Sequence, residues 1–329
     1  MSSKMFETTE SSKLFNILAE TKDYRQLVYI AERMYGTGGF GNSLAFCVAI
    51  EGANHIIVPE RAQYIRTIFS ELSLIQENLL RLAAIAESIS FESLSMMCWS
   101  RREKILDIID ELTGNRMITS LCCVGGVRRD FTVEELDVML NKLRTDAKDF
   151  ETIQKVVTDD RWFAKRLKGI GTLTKEDAEE SSVTGPAAKG SGVPADRRSL
   201  GEYGAYKQLG FKPVTENGCD CHARAVVKIR EIYQSIELIE KAVRELPNGA
   251  IATDVPDKIN GEWIAKVEQA DGVDTYFIKG CNSAYLEEVG IRKASESNEK
   301  VMYRIGNYSP DNEALVRLSL GIDECLRER

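Results

Sequence analysis

The sequence predicts a mainly α fold, a bundle of long helices carrying a small β appendage. Three observations lead there. Ile65, Ile68, Phe69, Leu72, Ile75, Leu79, Leu82, Ala86 and Ile89 keep a three-to-four-residue spacing. That stripe runs for about eight turns, the length of a central bundle helix. Val226, Ile229, Ile232, Tyr233, Ile236, Ile239 and Val243 form a second such stripe before Pro247. Beyond residue 262 the pattern changes: Trp263–Glu268 and Thr275–Lys279, separated by Ala270-Asp271-Gly272, read as a β-hairpin.

The remaining elements follow in chain order. Residues 1–22 are polar and predict a frayed or partner-bound N-terminus. Leu27, Val28, Ala31 and Met34 recur at helical spacing from Asp23 onward. Four glycines between Gly36 and Gly41 stop that helix and allow a tight turn. Leu44–Ile50 is apolar on every side, which marks a buried helix. Pro59 suits the first turn of the long helix. Another helix is expected over Ser93–Leu112, stopped by Gly114. Thr132 with Glu135 is a capping box opening a helix to about Phe150, and Thr174 with Asp177 is a weaker start. Residues 184–210, rich in Gly, Pro, Ser and Ala, predict a long ordered loop or functional surface. The second stripe gives a helix over Ala223–Leu246. Gly290-Ile291-Arg292 adds a strand, and Ser309-Pro310 caps a last helix over Asp311–Leu320. The expected division is therefore an N-terminal segment (1–22), a helical core (23–246), a β-rich appendage (247–308), and a last helix with a tail returning to a central cavity (309–329).

Composition excludes several classes. With 329 residues, 43% hydrophobic and 29% charged, the chain can bury a sizeable core and is not disordered. A net charge of −8 argues against a nucleic-acid partner. No apolar run reaches the roughly 18 residues of a membrane span. The opening Met1–Glu7 has no apolar h-region, so no secretory signal is expected. The eight cysteines are then expected as reduced thiols in a cytoplasmic setting, as core residues or ligands.

Several stretches, in this order and spacing, resemble one family: Ser43-Leu44-Ala45-Phe46-Cys47, Pro59-Glu60-Arg61-Ala62-Gln63-Tyr64-Ile65-Arg66, Glu111-Leu112-Thr113-Gly114-Asn115-Arg116, Gly125-Gly126-Val127-Arg128-Arg129-Asp130 and Val183-Thr184-Gly185-Pro186. From about Asp23 to Arg329 the chain resembles the large subunit shared by energy-converting nickel–iron hydrogenases and respiratory complex I, where it is the 49 kDa quinone-pocket subunit. The resemblance implies that fold without its N-terminal β-hairpin, the element carrying the complex I quinone-site histidine. Neither His55 nor His222 stands in a matching context.

The hydrogenase branch holds nickel and iron with four thiolates from an Arg-x-Cys-Gly-x-Cys motif and a terminal Asp-Pro-Cys-x-x-Cys motif. Soft thiolates favour these metals over harder ions. Arg33 and Gly36 match the first motif here, but Tyr35 and Gly38 stand at its cysteines. Asp323 and Cys325 match the second, with Glu324 at the proline and Glu328 at the last cysteine. Asn42 stands at the family's histidine. Asp271 stands at the arginine of its Ala-Pro-Arg-Gly turn, a replacement that would reverse the field favouring an anionic metal cluster. The resemblance therefore implies a degenerate cavity at Arg33, Tyr35, Gly38, Asn42, Asp271, Cys325 and Glu328, with no metal and no cofactor held by this chain. Arg33, Tyr35 and Cys325 are the catalytic candidates. Tyr35 reads either as a ligand contact, beside the complex I quinone tyrosine, or as a plug in a vacated metal cavity.

Other features have plainer readings. Cys219-Asp220-Cys221-His222 misses the usual zinc spacing and resembles a structural Asp-Cys-x-Ala-Arg element of the family. Cys122-Cys123 reads as packing. Gly36–Gly41 follows a helix and lacks the Gly-Lys-Ser/Thr ending of a phosphate loop. Lys189 replaces an arginine of the family's Thr-Gly-Pro-x-x-Arg loop, keeping charge without the planar fork.

The resemblance implies a peripheral subunit on the cytoplasmic face of a membrane-bound oxidoreductase. Its implied partners are a small subunit carrying an iron–sulfur cluster, a complex I C-subunit-like protein, an ion-translocating membrane-arm subunit and a polypeptide supplying the missing hairpin. Two readings remain open. The cavity receives electrons for a quinone-like or sulfur acceptor, or the chain is an inert scaffold coupling the cluster subunit to the membrane arm.

Overall fold

A computed structural model describes residues 10–34, 38–145 and 147–322. The helices are α1 (Glu10–Ala19), α2 (Tyr24–Met34), α3 (Gly39–Ala53), α4 (Glu60–Ser88), α5 (Glu92–Thr113), α6 (Val133–Thr145), α7 (Ala147–Asp159), α8 (Arg161–Leu167), α9 (Lys175–Glu180), α10 (Pro186–Lys189), α11 (Cys221–Arg244), α12 (Ala294–Glu299) and α13 (Glu313–Ser319). Cys122–Cys123 (β1) and Gly126–Val127 (β2) form a two-residue antiparallel ladder. Glu262–Gln269 (β3), Gly272–Gly280 (β4) and Leu286–Arg292 (β5) form an antiparallel sheet in that order. Gln269 pairs with Gly272, so Ala270 and Asp271 are the hairpin turn.

The bundle is organised on α4, which packs against both α5 and α11. Its apolar stripe is buried as the spacing predicts. Burial extends around the helix, however, and takes in Arg66, Glu71, Gln76, Glu77 and Asn78. A buried charge must be paired or neutralised. Arg66 is paired: its guanidinium holds both Glu51 oxygens at 2.9 and 2.6 Å. It also donates to the Gly126 and Cys123 carbonyls. One residue thereby fixes α3, α4 and the 123–126 turn together. The sheet lies against α3, and α1 lies against β5.

Local signals hold at many ends. Gly114 closes α5 at φ +80°, where a side chain would be strained. The Thr132–Glu135 box forms reciprocally, at 2.8 and 3.2 Å. Thr174 caps α9 through the Asp177 amide, and Asp220 caps α11 through the Ala223 amide. Pro59 is the N-cap of α4, one place before its first turn.

Three expectations are corrected, and that for the 184–210 loop is refined. The N-terminal stretch is not frayed throughout: α1 is helical, and Phe15 is buried with its ring 5.6 Å from that of Phe46. The helix opened by Thr132 ends at Thr145, and α7 follows with Phe150, Ile153 and Val157 buried on one face. The 184–210 segment holds the short α10 and a 3-10 turn over Arg197–Leu200. Ser309 makes no side-chain cap; a 3-10 turn over Pro310–Asn312 precedes α13 instead.

Candidate functional site

The described residues expected around the degenerate cavity, apart from Arg33, come together where the start of α3, the middle of α4, α11 and the β3–β4 turn converge. Gly38 precedes α3 with φ −88°. A β-carbon there would stand 3.5 Å from both carboxylate oxygens of Glu77 on α4. Gly41 is packed still more closely, because its missing β-carbon would lie 1.8 Å from the Gln269 amide. A side chain at Gly41 would have to displace the Gln269 amide from between α3 and the end of β3.

Asp271 does not act as a free negative charge. Arg81 of α4 holds it through Nε at 2.9 Å and Nη2 at 2.5 Å. Lys228 of α11 reaches its carboxylate at 3.3 Å and the Ala270 carbonyl at 3.2 Å. Burial works to raise the Asp271 carboxyl, but Arg81 and Lys228 outweigh it and hold it below the usual range. Burial conversely lowers Lys228, against the attraction of Asp271. The reversed field expected at this turn is thus corrected: the acid arrives with two cations. The last described residues also reach this turn. A β-carbon on Gly321 would meet the Asp271 side chain at 2.5 Å. Asn298 joins the Asp271 and Leu320 carbonyls at 3.0 and 2.8 Å.

Asn42 is fully buried and accepts from Tyr276 at 3.2 Å and from Lys293 at 2.7 Å. Lys293 also pairs with Asp274. Glu77 accepts from Ser73 at 2.7 Å. Burial, reinforced by Asp271, pushes its carboxyl up to about 7, against Ser73, Lys293 and Arg81. A carboxyl so placed exchanges a proton near neutral pH. Arg33 lies elsewhere: its side chain is exposed and donates to the Tyr29 carbonyl at 2.8 Å. Its neighbour Glu32 is the buried one, binding Thr119 and the Ser120 amide. Tyr35, Cys325 and Glu328 lie outside the described residues.

The described donors do not fit a nickel–iron centre. Gly38 offers no side chain, and the group facing it is the Glu77 carboxylate rather than a soft thiolate. Cys219–His222 is a helix entry. Asp220 caps α11 and also binds the Gly169 amide at 2.8 Å, while Cys221 is buried against Ser319. Glu77, Arg81 and Lys228 were not singled out from sequence. Charged residues at helical spacing read as solvated faces, and only the all-round burial of α4 and α11 turns them inward.

Residues 89–277 match the family described as the respiratory-chain NADH dehydrogenase, 49 Kd subunit. Membrane-bound hydrogenase subunit alpha of Pyrococcus furiosus is 32% identical over 275 residues, 79% of this chain and 64% of that protein. The chain thus spans under two thirds of that subunit's length. One subunit of the F(420)H(2) dehydrogenase of Methanosarcina mazei is 34% identical over 319 residues, 92% of this chain and 80% of that one. A chain from the membrane-bound sulfane sulfur reductase, an archaeal respiratory membrane complex, superposes with a TM-score of 0.85 at 24% identity. That likeness covers 94% of this chain and 86% of the other, and shows the fold. Among the described residues, no helix is long and apolar enough to cross a membrane.

Proposed function

The chain belongs to the 49 Kd subunit family of the respiratory-chain NADH dehydrogenase, and on that footing we propose that it is the cavity-bearing subunit of a membrane-associated, multi-subunit oxidoreductase. It sits peripherally on the cytoplasmic face, beside a small subunit whose iron–sulfur cluster delivers electrons. A C-subunit-like protein and an ion-translocating membrane arm complete the assembly. It has no nickel–iron hydrogenase activity of its own and holds no cofactor.

The observation that carries this reading is the Glu77 carboxylate facing Gly38. Reduction of a quinone-like or sulfur acceptor adds negative charge and consumes protons. A buried carboxyl titrating near 7 beside Arg81 and Lys293 supports that chemistry. The experiment is to tag the chain and purify it from detergent-solubilised membranes. The reading expects an iron–sulfur protein and membrane subunits to co-purify, and electrons to reach an added quinone or polysulfide. Isolation of the chain alone, without iron–sulfur absorbance, would overturn it.

An inert scaffold is the second reading, and one observation favours it. Arg33, kept from the metal-binding motif, points away from the cavity. Cys325→Ala and Tyr35→Phe in the assembled complex separate the two readings. A reactive cavity loses turnover, whereas a scaffold keeps assembly-dependent activity.

A further inference from the structure

Beside the cavity, six charged side chains from five segments meet inside the bundle. They are Glu71 (α4), Lys189 (α10), Asp196 and Arg198 (the 3-10 turn and its cap), Glu231 (α11) and Glu268 (β3). Each side chain is at most 3% exposed. Four carboxylates face two cations, and a third cation, Lys228, faces Glu231 but is engaged by Asp271, so full ionisation would leave excess negative charge away from water. Burying unpaired charge costs several kcal/mol per ion, and the usual outcome is protonation.

The donors show which acid is the weakest held. Asp196 receives the Arg198 amide, Nε and Nη2 at 3.0, 3.0 and 2.8 Å, and Lys189 at 3.0 Å. Glu71 receives Ser235 at 2.6 Å, Tyr206 at 2.7 Å and Arg198 at 3.2 Å. Glu231 pairs with Lys189 and stands 3.4 Å from Arg198. Glu268 has only a long Lys189 contact at 3.3 Å and the Arg197 amide at 3.1 Å, with Tyr203 against its own amide.

We propose that this network is a proton-binding site, with one exchangeable proton resident on Glu268 at neutral pH. Burial, then the charge of Asp196, push its carboxyl up to about 7 against Lys189 and Arg198. Two short covalent paths lead to the cavity. Glu268 lies three residues before Asp271 on the same hairpin, and Glu231 lies one helical turn after Lys228, which holds Asp271. Lys228 interacts with both Asp271 and Glu231, so a change of charge at Asp271 shifts the proton's occupancy, and its loss or uptake shifts the field at Asp271. This coupling rests on the redox reading above; the proton site itself does not.

The test is infrared spectroscopy of the purified complex titrated through neutrality in H2O and D2O. The expected result is a carboxylic-acid C=O band with a midpoint near 7, shifted by D2O and lost in Glu268→Gln. Glu77 and Glu296 also titrate near 7, so Glu77→Gln and Glu296→Gln must leave that band in place. Glu71→Gln removes one of the four negative charges and is expected to move the midpoint to lower pH; it serves equally if Glu268→Gln does not fold. A titration unchanged by Glu268→Gln, or a midpoint unmoved by Glu71→Gln, would overturn the proposal. Coupling is read separately, as a Glu268 band that responds to reduction of the partner's cluster at fixed pH. An intact titration without that response would reject only the redox link.

Discussion

The carboxylate of Glu77 stands 3.5 Å from the point a β-carbon on Gly38 would occupy, so a hard oxygen group borders the position that the sequence motif equates with a soft thiolate of the hydrogenase branch. Around it Asn42, Asp271, Arg81 and Lys228 are already engaged with one another or with Tyr276 and Lys293. Apart from the Gln269 Nε2, which is buried without a hydrogen-bond partner, the site is a paired polar cluster, differently equipped from a metal cage.

Gly38→Cys should therefore fold without creating a hydrogenase. The backbone at φ −88° accepts a side chain, and contact at 3.5 Å is ordinary. We expect a loss of about 1 kcal/mol or less on thermal unfolding. Nickel incorporation and hydrogen uptake should stay at background.

Glu77→Gln should flatten the pH dependence of stability. The folded carboxyl is raised from 4.5 to about 7, so its contribution is full below the unfolded value and is lost as pH rises through about 7. Wild type should thus gain stability on acidification from neutral towards pH about 4.5, by up to about 3 kcal/mol. The variant should lose this share of the gain and keep the part that Glu268 and Glu296, also raised to about 7, contribute, as checked by urea midpoints across the range.

Asp271→Asn leaves Arg81 and Lys228 facing each other without their acid. Removing one partner of a buried pair costs about 3–5 kcal/mol. Asp271→Arg, which restores the family's residue, should be worse because it adds a third cation. Denaturant unfolding should order the three proteins wild type, Asn, Arg.

Arg66→Met should cost about 3–5 kcal/mol, because it leaves Glu51 buried beside the bare Gly126 and Cys123 carbonyls. Arg66→Lys keeps the charge but not the fork, and its unfolding midpoint should fall between those of wild type and Arg66→Met.

The helical frame was legible because its signals are local. The Ile65–Ile89 stripe, Gly114, and Thr132 with Glu135 each depend on neighbours within about a turn of chain. The site was less legible because its partners are remote. Arg81 and Asp271 are 190 residues apart in sequence, and Lys228 lies 43 from the same acid. Substituting Asp271 for an arginine looked like a reversal of field until its two cations were in place. Arg33 shows the opposite case, a motif residue present in sequence whose side chain turns outward. The α7 helix was missed because Phe150, Ile153 and Val157 are thinly spread among polar residues.

The most direct measurement of the central claim is the nickel, iron and acid-labile sulfide content of the complex purified with its native partners. Iron and sulfide without nickel is the predicted result, placing the metal in a cluster-bearing partner beside a cavity that holds none. Nickel near one atom per chain would contradict it, and would mean that residues other than four thiolates hold a nickel–iron centre here.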